Sequence, residues 1–138
     1  MEQDRSDRRA NNQAFTLAVL DLDGLKTVND AEGHAQGDKV LKVFAGTLAV
    51  DLGNAADLYR VGGDEFILLS ARTEEDELHE QVDVAVLAAR QVSTLRGVSV
   101  GIAQSSEASG LALIELADQR MYAVKQRRQA VRASLASD

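Results

Sequence analysis

The chain has 138 residues, 45% of them hydrophobic, with a formal net charge of −7. That size and apolar content fit one compact domain with a core of its own, residues 1–138 forming a single unit. The absence of cysteine excludes disulfides and thiolate metal sites, and the acidic balance disfavours nonspecific nucleic-acid binding. The stretch Met1–Arg9 is charged and lacks the apolar core of a signal peptide, and no later run is long enough to cross a bilayer. These features point to a cytoplasmic protein with no membrane segment.

Phe15–Leu20 reads as a buried strand running into a polar loop from Asp21 to Asp30. On an extended chain Asp21 and Asp23 face the same way. Val40, Leu41, Phe44, Ala45 and Leu48 recur at helical spacing, which predicts an amphipathic helix over Gly37–Val50. Leu58–Val61 and Phe66–Leu69 read as the strands of a hairpin whose turn is Gly62-Gly63-Asp64-Glu65. The glycines there permit positive φ and leave no side chain to block a ligand. A second helix is predicted over Glu74–Val92, and its acidic opening Thr73–Glu77 suits the positive end of a helix dipole. A last helix follows Ser109-Gly110 and turns Leu113, Ala117, Met121 and Val124 inward. Arg120, Arg127, Arg128 and Arg132 on that helix form a candidate basic patch, whereas His79 in the acidic helix is assigned no role.

Alone, Gly-Gly-Asp-Glu is an ordinary hairpin turn with solvated acids, and Asp-Leu-Asp an ordinary polar strand end. Together they give two acidic strand-loop junctions in a short chain. Mg²⁺ takes one or two carboxylates and completes an octahedron with phosphate and water oxygens, and Mn²⁺ accepts the same set. Asp21 is the first candidate ligand and Asp64 the second.

Asp21-Leu-Asp-Gly-Leu-Lys-Thr-Val-Asn-Asp, Gly33-His34-Ala-Gln-Gly37-Asp38 and Arg60-Val-Gly-Gly-Asp-Glu-Phe together resemble the GGDEF-type diguanylate cyclase domain. Val98-Ser-Val-Gly-Ile102 and Ala117-Asp-Gln-Arg-Met-Tyr-Ala-Val-Lys125 extend the match over most of the chain from about Phe15 to Lys125. The order strand, helix, hairpin, helix, strand, helix implies an α/β sandwich with helices covering a mainly antiparallel sheet. The resemblance narrows this to the palm-like nucleotidyl-cyclase fold. It also implies joining of two GTP molecules into cyclic di-GMP with release of pyrophosphate. By the same resemblance Asp21, the Leu22 carbonyl and Asp64 hold metal, with Glu65 as a further ligand or helper and Asp64 as a candidate proton acceptor. Lys26 and Lys125 would meet phosphates, and Asn29 and a buried Asp38 would read the guanine edge. His34 matches a substrate-side position, and Gly62 and Gly63 would lie against the nucleotide. Without the resemblance, Asn29-Asp30 is a turn, Asp38 a helix N-terminal acid and His34 a loop residue packed on the following helix.

The departures are specific. No Asp-x-Leu-Thr-Gly-Leu segment precedes Phe15, so the chain reads as truncated at its start. Gln129 stands where the family has an arginine after the phosphate-binding lysine, leaving Arg128 to substitute from the neighbouring position. Gly53 and Ala56 occupy the places of the Arg-x-x-Asp product-inhibition motif, with Asp57 one residue out of register. Because the product is two-fold symmetric and each family domain binds one GTP, the resemblance implies a homodimer. An upstream sensory or dimerisation module, expected in the family, is missing from this chain. Two other readings remain: a catalytically idle GTP-binding regulatory or protein-interaction domain, and a different nucleotidyl cyclase or polymerase-like palm.

Overall fold

The structure is a computed structural model that describes residues 13–72 and 74–136. Met1–Arg9 and Thr73, both part of the expectations above, lie outside the described residues. Strand β1 (Thr16–Asp23) is followed by helices α1 (Leu25–Glu32) and α2 (His34–Leu52) and a 3₁₀ turn at Gly53–Ala55. Strands β2 (Ala56–Arg60) and β3 (Glu65–Ser70), helix α3 (Glu75–Arg90), strand β4 (Gly97–Gln104) and helix α4 (Leu111–Ala136) complete the order. The sheet runs β2-β3-β1-β4 and is antiparallel throughout. This is the expected antiparallel sheet flanked by helices.

β1 is buried at all eight positions because helices cover both sides of the sheet. Ala18, Leu20 and Leu22 meet the side chains of α2 and α3, including Phe44, Leu48, Val82 and Ala85. Phe15, Leu17 and Val19 point the other way and pack with Leu113, Ala117 and Met121 of α4. Strand parity then carries Asp21 and Asp23 onto the α4 side. Phe44 and Phe66, with ring centroids 5.8 Å apart, join α2 to the hairpin.

The loop expected over Asp21–Asp30 is a correction. β1 continues to Asp23, Gly24 turns the chain at φ 82°, and α1 begins at once. Leu25 and Val28, one turn apart and both buried, are the apolar stripe that holds this short helix, so the element order contains one helix more than anticipated. α2 also starts earlier, at His34, through the turn at Gly33 (φ 94°).

α4 approaches the sheet backbone to backbone. A Cβ on Gly101 would stand 2.0 Å from the Ala117 carbonyl oxygen and 2.2 Å from the Met121 nitrogen, so no larger residue fits unless the helix moves. Two arginines of α4 also donate to carbonyls of the edge strand: Arg120 Nη1 to Ile102 O at 2.7 Å and Arg128 Nη1 to Val98 O at 2.8 Å. Among the described residues, no helix is long and apolar enough to cross a membrane.

Candidate active site

The acidic residues meet where β1 and β3 run side by side. Asp21 is in register with Glu65, and Leu22 N donates to Asp64 O at 2.9 Å, which fixes the hairpin acids beside the end of β1. Like charges in direct cross-strand register are unfavourable, so this pairing costs stability. The turn is tied back by Arg60, whose Nε donates to Gly62 O at 3.1 Å and whose Nη2 donates to Gly63 O at 2.8 Å. Gly62 and Gly63 do not use the positive φ that glycine permits. Their contribution is room: a Cβ on Gly63 would meet nothing within 4 Å, and one on Gly62 would reach only Glu65 Cβ at 3.6 Å. Arg60 had no assigned role in the sequence; its place at the end of β2, three residues before Gly63, is the signal.

Asp21 is buried, and its Oδ1 accepts no directional hydrogen bond. Lys125 Nζ lies 2.9 Å from that oxygen, an ion pair by distance without hydrogen-bond alignment. Burial raises the Asp21 pKa above 3.8, and nearby Asp64 and Asp23 add to the rise against the pull of Lys125. Glu65 is raised above 4.5, first by burial and then by Asp118, Asp21 and Asp64. For Lys125 burial acts downward, yet the adjacent carboxylate of Asp21, with Asp64 and Asp23 beyond it, outweighs burial and its pKa is raised. An orphaned buried carboxylate oxygen in an all-oxygen donor set, with an ammonium standing at cation distance, fits Mg²⁺ or Mn²⁺. Among the described residues no group of three or more His, Cys, Asp or Glu side chains is arranged as a metal cluster.

Asp23 has the opposite character. Ser99 Oγ donates to its Oδ1 at 2.8 Å, and Arg128 Nη1 donates to its Oδ2 at 2.8 Å. The phosphate-binding candidate Arg128 is therefore engaged by Asp23 and by Val98 O in this structure. Ser99 was not singled out as functional, although it is the polar residue of an apolar strand and lies in register with Asp21 on the α4 side.

Asn29 lies against Gly37, the residue that precedes Asp38. A Cβ on Gly37 would stand 1.7 Å from Asn29 Oδ1. Asp38 borders an open groove of about 580 Å³ that Leu41, Lys42, Leu58, Arg60 and Phe66 also line. Asp38 is exposed and Asn29 half-buried, which corrects the expectation of a buried carboxylate. Lys26 and His34 are exposed, on the first turns of α1 and α2. Gly53 lies in the 3₁₀ turn, and Ala56 is buried at the start of β2. The basic patch divides: Arg120 pairs with Glu107 at 2.7 Å, while Arg127, Arg128 and Arg132 gather with Arg90 and Arg96.

The motif order and this geometry agree with a family model described as diguanylate cyclase, GGDEF domain, which matches residues 1–130. The chain belongs to the GGDEF family. It is 35% identical over 134 residues, 91% of this chain, to diguanylate cyclase DgcP of Pseudomonas aeruginosa, covering 20% of that protein. It is also 33% identical to the cyclic di-GMP phosphodiesterase PdeR of Escherichia coli, covering 89% of this chain and 20% of that one. The GGDEF chain thus spans about a fifth of the length of these curated relatives. Among solved structures, the isolated GGDEF domain of TpbB (YfiN) from Pseudomonas aeruginosa superimposes with a TM-score of 0.74 at 27% identity, covering 88% of this chain and 77% of that chain. The palm-like fold implied by the motifs is that of these GGDEF structures.

Proposed function

We propose that this GGDEF domain is a Mg²⁺-dependent diguanylate cyclase, joining two GTP molecules into cyclic di-GMP as a homodimer. The observation that carries the reading is the buried, unsatisfied Asp21 Oδ1 beside Asp64 and Glu65, facing Lys125. A bound divalent ion would supply charge to the phosphates and acidify the attacking 3′-hydroxyl. Asp21, the Leu22 carbonyl and Asp64 would hold it, with Mn²⁺ as a substitute. Lys125, paired with Asp21 in this structure, and exposed Lys26 would supply positive charge to the phosphates. Asp64 or Glu65 accepts the hydroxyl proton, and the raised pKa of Glu65 suits proton transfer better than an ordinary exposed carboxylate does. Asn29 and Asp38 hydrogen-bond the guanine edge in the groove above Leu41 and Phe66, with His34 at its rim and the bare turn of Gly62 and Gly63 nearest the sugar. Arg128 reaches phosphate only by leaving Asp23. The setting is cytoplasmic.

The experiment is incubation of the purified chain, fused to a leucine-zipper coiled coil ahead of Met1, with Mg²⁺ and GTP, followed by mass detection of the cyclic dinucleotide. The fusion raises effective concentration to about the millimolar range, and turnover per protomer should become independent of protein concentration. Product from the fusion and none from its Asp64→Asn form is expected.

A second reading is an idle GTP-binding regulatory domain. It is favoured by the engagement of Lys125 and Arg128 with acids and by the similarity to PdeR, a relative named as a phosphodiesterase. GTP binding without product in the fused dimer would select it.

A further inference from the structure

Beyond β4, on the side of the molecule away from the Asp38 groove, lies a second and larger groove of about 780 Å³ between the C-terminal parts of α3 and α4. Leu58 of β2 and Val98 of β4, one in each groove, are three strand spacings apart, roughly 14 Å. We propose that this second groove, bordered by Arg90, Arg96, Arg127, Arg128 and Arg132, binds a phosphorylated anion of nucleotide size at a site distinct from the Asp38 groove.

Charge is the first argument. Five arginines face two acids, Asp23 and Asp83, in a chain whose net charge is −7, and Asp23 is already neutralised by Arg128. Such local concentration against the overall sign is unfavourable unless an anion relieves it. Availability is the second. Arg90 is held by the Leu95 and Arg96 carbonyls and Arg128 by Val98 O, which fixes two guanidinium groups in place. Among the described residues the guanidinium groups of Arg96, Arg127 and Arg132 have no hydrogen bond or ion pair, Arg96 being tied only through its backbone, so three forks remain free for phosphate oxygens, the geometry for which guanidinium is suited.

Shape is the third. Val86, Val98, Val124, Val131 and Leu135 give the groove an apolar floor. Bare phosphate has no use for that surface, whereas a nucleobase gains from it and from stacking on guanidinium planes. Two backbone features keep the site open. A Cβ on Gly97 would stand 3.1 Å from Arg128 Nη1, and one on Gly24 would stand 2.9 Å from Arg96 Cδ, so glycine at both positions lets these arginines lie against the chain.

The test is calorimetry in EDTA, where the acidic centre has no metal, with inorganic pyrophosphate and ADP as probes. ADP lacks the guanine edge that Asn29 and Asp38 would read. Binding of both is expected, with ADP the tighter. Arg127→Glu with Arg132→Glu should weaken both on the order of tenfold or more, since like charge then faces the anion. Arg127→Gln with Arg132→Gln should show a smaller loss in the same direction, and thermal melting should show both variants folded. Lys39→Glu with Arg72→Glu, which changes net charge equally elsewhere, should bind both probes as the unmodified chain does. Titration of Mg²⁺ and GTP into Arg127→Glu/Arg132→Glu should match the unmodified chain within about twofold, because neither residue is among those assigned to GTP or the metal.

No binding of either probe, or equal binding by folded groove variants, overturns the site. ADP no tighter than pyrophosphate overturns the nucleotide assignment. A loss of Mg²⁺–GTP affinity parallel to the probe loss makes the groove part of the substrate site and overturns its independence. Probe binding with no Mg²⁺–GTP binding at all leaves the groove standing and removes the cyclase reading.

Discussion

Helix α4 meets the sheet through cationic side chains at both ends of β4, and the two ends are built differently. At one end Arg120 grips exposed Glu107 through two hydrogen bonds of 2.9 and 2.7 Å and caps Ile102 O, with every group facing a partner. The Glu107 pKa falls to about 2, chiefly through that bond to Arg120 and then through the Gln104 amide. At the other end Lys125 and Arg128, one turn apart, face Asp21 and Asp23, two residues apart on β1. There Asp23 is fully partnered and Asp21 is not, and Asp21 is shifted upward where Glu107 is shifted downward. One seam thus contains an end that stabilises the fold and an end that holds an acid in a setting it would not choose. A buried acid held at such a cost is the kind of group that functional sites concentrate.

The largest effect expected at the strained end is on turnover. Asp21→Asn should abolish product formation while shifting the melting temperature little, because it removes a buried charge whose Oδ1 has only the ion pair to Lys125 and leaves Lys125 able to extend toward water. Activity above background in that variant would break the contrast. Gly101→Ala, by pushing α4 off the sheet, should destabilise by about 3 kcal/mol and disturb both ends together, read as a drop in denaturant midpoint. Asp23→Ala should cost about 1–3 kcal/mol, since it strands Ser99 and part of Arg128. If Asp23→Ala melts like the unmodified chain, the two acids are not distinguished as argued. Gly37→Ala should displace the Asn29 side chain and weaken GTP binding by about 1 kcal/mol with the fold retained, measured by calorimetry.

The smallest effects are in pH dependence, and their signs differ. The raised pKa of Asp21 means that the folded state holds its proton more tightly than the unfolded chain. Its ionised form therefore lowers stability above the raised value, and that loss is relieved as pH falls toward 3.8. The depressed pKa of Glu107 contributes stability that is present above 4.5 and lost as pH falls to about 2. Melting curves across pH should lose the first component in Asp21→Asn and the second in Glu107→Gln; unchanged profiles would remove the distinction.

Much of this was legible in the residues because the motifs lie at strand ends, where parity and register are strongly specified. Asp21 and Asp23 sharing a face follows from the two-residue period alone, and the hairpin bearing Asp64 and Glu65 follows from two apolar runs around paired glycines. Helix α1 was hidden because two apolar residues in eight give a weak periodic signal, and because Asn29-Asp30 also fits a turn. The exposure of Asp38 was not legible: burial depends on what stands opposite, and the groove beside it is shaped by distant Leu58 and Phe66. Arg90 and Arg96 joining the α4 arginines was equally invisible, since only the packed fold brings the end of α3 and the start of β4 beside the end of α4.

The two arginine caps on β4 also work as a ruler. Arg120 and Arg128 are eight residues apart, about 12 Å along a helix, and the carbonyls they reach are four residues apart, about 13 Å along a strand. Helix and strand therefore agree in length over this span. A single residue inserted between positions 121 and 127 would rotate one arginine by about 100° and leave an outer-strand carbonyl bare. A bare edge is a template on which another copy of the chain can pair, so such a length variant should form intermolecular sheet on storage before it loses its secondary structure.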